Sequence, residues 1–285
     1  MEELLLEMAS DEFAQNAEAL ETFSKSAIEL IDRNLFERAA DIRWWATDVY
    51  FWRALEDPTP ENCEAACERL KVINNSYTMY RNLVLCDPNG RVIATSRTES
   101  RSELKQLDVS NEEWFLQAMR TNSSTQYGVA DVAHSSLERH KEVSLIYSGG
   151  VRKQGAREGE SIGVLGIMFD WDTEAKIILE ACLQKDQNGE IIRGTQAFYT
   201  NRAGDIIEST DKEHFKVGVN LNLPDEHAQL AKGESHSGIF EKDGDRYLMG
   251  SSKTPGYREY EGLAWSAHVI RPIDVKVSND KKESK

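Results

Sequence analysis

The side chains best suited to chemistry lie between Asp108 and Asp172, a stretch that opens DVSNEEWFLQAM and closes IGVLGIMFDWD. Asp108 and Ser110 are capping residue types, and the helix they would start carries Trp114, Phe115 and Met119. Tyr127 and Asp131 follow on an extended run, then strand-like segments at 142–151 and 161–171. An aromatic pair beside a single carboxylate suits a small organic molecule: the rings supply flat contact area and the carboxylate accepts from N–H donors. Asp131 would be costly to bury without a partner, and Tyr127 carries a hydroxyl that can reach a ligand heteroatom. Along the closing strand Ile162, Val164, Gly166, Met168 and Asp170 share a face, so Met168 is expected against the pocket and Asp170 at its rim. The candidate ligand-binding residues are therefore Trp114, Phe115, Tyr127, Asp131, Met168 and Asp170. Each also has a plain structural role, core packing for the rings and turn or capping duty for the carboxylates, and the sequence leaves both open.

Catalysis finds no comparable recipe. Ser135 and Ser136 stand near His134 and His140, but no third group orients a base and no oxyanion site is evident. No phosphate loop, dinucleotide fingerprint or zinc-peptidase motif occurs, so the chain is expected not to be an enzyme and to need no cofactor. His134 and His140 are six apart, a spacing that suits no helical metal pair, and their segment reads as a loop over the pocket. Cys63 and Cys67, four apart in ENCEAACERL, together with Cys86 and Cys182, lack histidines at ligand spacing and read as thiols. The net charge is −15, from 49 acidic and 34 basic residues in 285, which repels polyanions and argues against nucleic-acid partners. No window approaches the run of about 18 apolar residues that a membrane span needs, and MEELLLEMASDEF lacks the basic start of a signal peptide. Such a chain is either cytoplasmic or the soluble piece of a membrane protein.

The elements that must position these residues begin with residues 3–57, which read as helix nearly throughout, with apolar positions three and four apart and no Gly or Pro before Pro58. About 50 residues at 1.5 Å each make a spine roughly 75 Å long, to which a parallel homodimer contact through this helix is a natural addition. A second helix is expected at 61–75, after which the pattern turns to period two. The hairpin NLVLCDPNGRVIATS (82–96) is echoed about 114 residues later by TQAFYTNRAGDIIEST (195–210), each with a turn closing on Gly, Gly90 and Gly204. The expected fold is α+β, with the helix at 1–57, a ligand-binding module at 58–182, a second module at 183–275 and a disordered tail at 276–285.

A long helix followed by two hairpin-opened sheet modules resembles the double Cache sensor family of bacterial chemoreceptors, sensor kinases and cyclic-dinucleotide enzymes. The matching pieces are IDRNLFERAADIRWWATD, DVSNEEWFLQAM, YGVADV, SIGVLGIMFDW and GYREYEGLAWSAHVIRPID, covering about residues 20 to 275. The resemblance implies a PAS-like fold in each module, a small-molecule ligand in the first, an extracytoplasmic location and a signalling output domain outside these residues. Amino-acid receptors of the family carry an Arg two residues before a Trp-aromatic pair and two Asp carboxylates. Here Trp114 and Phe115 match the pair and Asp131 the first Asp, whereas Glu112 replaces the Arg and Met168 the second Asp. An α-carboxylate would face Glu112 without a bidentate partner, which leaves an aromatic-walled pocket suited to a neutral or cationic ring with N–H donors. The strand ending Phe169-Asp170-Trp171 resembles that of the purine-sensing branch of the family, which implies a purine or other nitrogen heterocycle as the first ligand candidate. The alternative is a structural or dimerisation module whose pocket is vestigial.

Overall fold

The structure, a computed structural model, describes residues 2–97, 99, 101–104, 107–137 and 143–273. His140 and the expected tail at 276–285 lie outside them. The chain forms two compact units: Asp32–Ile177 with Tyr257–Tyr260, and the remainder up to Ile31, Ile178–Gly256 and from Glu261 onward. The expected change of module at 182/183 thus sits at the end of a helix that the unit boundary crosses.

Helix α1 spans Glu2–Trp45, shorter than the expected 3–57. Asp48 ends the run by capping a separate helix α2, Val49–Glu56, where its side chain accepts from the Tyr50 amide at 3.0 Å. The same carboxylate takes Arg69 Nε at 2.7 Å. Thr47 and Asp48 compete locally for backbone groups, which apolar periodicity does not register. Helix α3, Pro60–Ser76, starts where Thr59 accepts from the Asn62 amide and Pro60 occupies the first turn.

The first unit's sheet contains β1 (Tyr80–Cys86), β2 (Val92–Thr95), β3 (Gly128–Val129), β4 (Ala133–His134), β5 (Val143–Val151) and β6 (Gly163–Phe169), in the order β2-β1-β6-β5-β3 with β4 also on β5. The short helices α4 (Arg101–Leu104) and α5 (Glu113–Met119) lie between β2 and β3 in sequence, and α6 (Trp171–Cys182) follows β6. The second sheet, β7 (Gln196–Thr200), β8 (Ile206–Ser209), β9 (Ser235–Lys242), β10 (Asp245–Lys253) and β11 (Ser266–Pro272), is ordered β8-β7-β11-β10-β9. Setting β4 aside, the two orders are the same topology. Helix α7 spans Asp225–Ala228.

The echoed hairpins share one turn chemistry. Asp87 Oδ1 accepts from the amides of Asn89 and Arg91, both at 2.9 Å, and Asn201 Oδ1 accepts from those of Ala203 and Asp205, both at 2.9 Å. Gly90 and Gly204 sit at φ +81° and +88°, where a side chain would be strained. Both sheets are also approached by α1 at a glycine of the equivalent strand. A Cβ at Gly149 on β5 would lie 3.1 Å from the Ile42 carbonyl oxygen, and one at Gly250 on β10 would lie 2.2 Å from Leu20 C. In each unit the opposite face of the sheet is therefore left for its own helices and loops.

Candidate ligand site

Helix α5 begins at Glu113, with Glu112 as its N-cap residue. Asp108 and Ser110 do not cap it: Asp108 Oδ1 accepts from the Ser110 amide at 2.8 Å and closes a turn just before it. The helix then lays Trp114, 3% exposed, on the sheet. The indole is admitted by Gly166, where a Cβ would stand 2.9 Å from its Cζ3. Gly166 pairs with Val84 on one side and Ser148 on the other, so this row offers the ring a shallow seat. Ser148 Oγ donates to the Trp114 carbonyl at 2.6 Å, and Gln117 Oε1 accepts from the Val129 amide at 2.8 Å, which ties α5 to β5 and β3.

Beside the indole is a hollow of about 200 Å³, bounded by Glu112, Trp114, Ala130, Asp131, Ser135 and Ser144. Trp114, Ser135 and Ser144 are buried and form its interior, whereas Asp131 and His134 are exposed and form its mouth. Glu112 is the hub. Its Oε2 accepts from Trp114 Nε1 at 2.6 Å and Ser135 Oγ at 2.8 Å, and its Oε1 accepts from the Ser136 amide at 3.1 Å and the Ser136 hydroxyl. The residue that stands in place of an Arg thus fastens the 135–136 segment to the indole. Asp131 Oδ1 accepts from the Val132 amide at 2.8 Å. No Lys or Arg lines this hollow among the described residues.

Trp114 and Asp131 therefore meet at one cavity, and the other four candidates do not line it. Phe115 is buried in the core, edge-on to Trp114 at 6.0 Å. Met168 has the expected face, but it pairs with Asn82 and Ile146 in the middle of the sheet and is 1% exposed beneath the packed cluster. Tyr127 leaves on the far side of its strand, because neighbouring Gly128 is the position that faces α5. Its ring stacks on Tyr147 at 6.0 Å, with the Arg43 guanidinium 5.9 Å from its centroid. Asp170 is drawn away by Arg81, whose Nε donates to it at 2.8 Å while Nη2 reaches Asp172. Arg81 is thus a half-buried clamp between strand β1 and the start of α6. Between Tyr147 and Ser144, which alternate along β5, Ser144 faces the hollow, while Tyr147 bonds the Tyr260 hydroxyl at 2.8 Å.

Among the described residues no cluster of His, Cys, Asp or Glu could hold a metal ion, and the four cysteines are buried thiols. No helix of the described residues is long and apolar enough to cross a membrane.

This architecture is a double Cache-type fold, a long helix with two PAS-like sheet units of the same strand order. The ligand-binding domain of the Campylobacter jejuni chemoreceptor Tlp3, in complex with 4-methylisoleucine, is similar over 95% of this chain and 96% of its own, at TM-score 0.66 and 17% identity. The sensor domain of the V. cholerae histidine kinase DctB is similar over 94% and 99%, at TM-score 0.63 and 14% identity. The Tlp3 domain with L-valine gives TM-score 0.60 at 16% identity, over 94% and 95%. No family model matches the chain, and no curated protein matches it in sequence.

Proposed function

We propose that this chain is the sensory input domain of a signal-transduction receptor, taking a small neutral or cationic nitrogen-bearing molecule in the hollow beside Trp114. The observation that carries the reading is the charge of the lining: among the described residues Asp131 and Glu112 are present and no Lys or Arg is. Structurally similar domains are described with amino acids bound, 4-methylisoleucine and L-valine. An α-carboxylate in this hollow would meet carboxylates without a guanidinium to offset them, a pairing that like charges make unfavourable. A flat ring with N–H donors instead stacks on the indole and donates to Asp131. The volume, below the about 300–1,000 Å³ of common ligand pockets, limits the ligand to a single small ring system such as a purine base. Signalling then requires that the ligand bind two arrangements of the domain with different affinity, and the response can be no larger than that difference. The output region lies outside these residues.

A thermal-shift screen of nucleobases, small amines, amino acids and carboxylic acids tests this. A nucleobase or amine present at 100 times its Kd adds about 2.7 kcal/mol, a rise of several degrees that Trp114→Ala and Asp131→Asn diminish. Stabilisation by amino acids or carboxylic acids alone refutes the charge argument. Stabilisation by nothing at millimolar concentration favours the scaffold reading.

A further inference from the structure

The second unit contains a hollow of opposite character. Three register partners cross its sheet in a row, Thr200 on β7, Ser266 on β11 and Lys253 on β10, so their side chains share a face. The turn carrying Arg202 and the loop carrying Leu223 close over the ends of these strands, leaving about 140 Å³. No Asp or Glu lines it among the described residues, although the chain holds 49.

Burial holds the Lys253 ammonium below its ordinary range, and the nearby Arg202 cation lowers it further. Among the described residues neither side chain forms an ion pair or hydrogen bond. A half-buried ammonium beside a guanidinium is an unfavourable arrangement in an empty hollow and a favourable one around an anion. In a protein of net charge −15, carboxylates to pair with it are abundant, yet among the described residues none is brought there.

From this geometry we infer that the second unit binds a small oxyanion, a carboxylate or phosphate group held by Lys253 and Arg202 with the buried Ser266 hydroxyl beside it. A cavity this size holds about five water-sized groups, which admits acetate, a hydroxy acid of similar bulk or inorganic phosphate. Leu223 and Ala228 provide the apolar side for a short carbon chain. The site is independent of the hollow beside Trp114 and stands if that reading fails.

Isothermal titration and thermal shift of the whole chain with sodium acetate and with inorganic phosphate, against sodium chloride at matched ionic strength, test the inference. The expected result is saturable binding at one site, at least tenfold weaker in Lys253→Met and in Arg202→Gln. It is retained in Lys71→Met, which removes an exposed lysine from the other unit. Acetate binding identifies a carboxylic acid as the source of the anion, and phosphate binding a phosphate. Without anion, Lys253→Met should melt no lower than the wild type, because it removes a desolvated charge without a partner; Arg202→Gln, at an exposed position, tests the site without disturbing the core. Saturable binding of neither anion, an equal response to chloride, or undiminished binding in both variants overturns the inference.

Discussion

Replacing Gly166 by Ala places a methyl group where the Trp114 indole now lies, 2.9 Å from Cζ3 and 3.3 Å from both Cη2 and Val84 Cγ2. The neighbours cannot yield easily. Trp114 is 3% exposed, its Nε1 is held by Glu112 at 2.6 Å, and its own carbonyl takes the Ser148 hydroxyl. Overpacking of this kind costs about 1–3 kcal/mol, from which the lower unfolded-state entropy of Ala returns about 0.5–1 kcal/mol. The net expectation is a loss of up to about 2.5 kcal/mol. The tightest contact is with the benzo ring, so in a Trp114→Phe background, where those atoms are absent and only the 3.3 Å approach to Val84 Cγ2 is left, Gly166→Ala should cost less than about 0.5 kcal/mol. Urea unfolding of the two single variants and the double variant gives the coupling directly, with contacting residues expected to couple by about 0.5–3 kcal/mol. Additive costs would refute the claim that Gly166 exists to seat the indole, and with it the account of how the hollow's wall is placed.

Three further outcomes follow from the same contacts. Glu112→Ala leaves the Trp114 indole N–H and the Ser135 and Ser136 donors without their acceptor, costing about 1–3 kcal/mol, and hydrogen exchange at the amides of Ser136 and Leu137 should quicken; unchanged protection there contradicts the hub role. Asp48→Ala removes the α2 cap and the Arg69 ion pair, for a loss of about 1–2 kcal/mol, and a loss within error of zero would mean the helix break is maintained by something else. His227 and His268 are held neutral chiefly by burial, down to about 4 and about 3, where Ser251 bonds one ring nitrogen of each at 2.8 and 2.7 Å. The folded pKa values lie below the unfolded one, so unfolding takes up protons and stability falls as pH drops below about 6.5, by up to about 1.4 kcal/mol per unit per histidine. Denaturant midpoints from pH 7 to 5 should therefore decline less steeply in His268→Gln, and an equal decline would contradict the burial argument.

The repeated architecture was legible because it rests on local chemistry: a turn that closes on Gly after an Asx side chain needs only five consecutive residues, and it occurs at Asp87–Arg91 and Asn201–Asp205. The pairing of Trp114 with Asp131 was legible for a related reason, since a buried ring and a nearby carboxylate on one short stretch have few places to go. Glu112 was not, because its partners Ser135 and Ser136 are 23 and 24 residues away, and their approach depends on β4 pairing with β5. Period two assigned Met168 to the correct face but could not say what covers it, and α5 does. Asp170 was expected at the rim because its partner Arg81 is 89 residues away in sequence, and only the pairing of β1 with β6 brings the two alongside. The end of α1 was lost to a capping residue inside an otherwise apolar helical pattern.

The indole N–H of Trp114 reports on the hollow itself, and its signal in a ¹⁵N-tryptophan spectrum, assigned with Trp114→Phe, tests the central claim most directly. Nucleobases or small amines should move it saturably, with affinity falling roughly 10- to 100-fold in Asp131→Asn as a charge-assisted hydrogen bond of about 1.5–3 kcal/mol is weakened. A signal that moves only with carboxylic acids, or that no small molecule moves, would contradict the account.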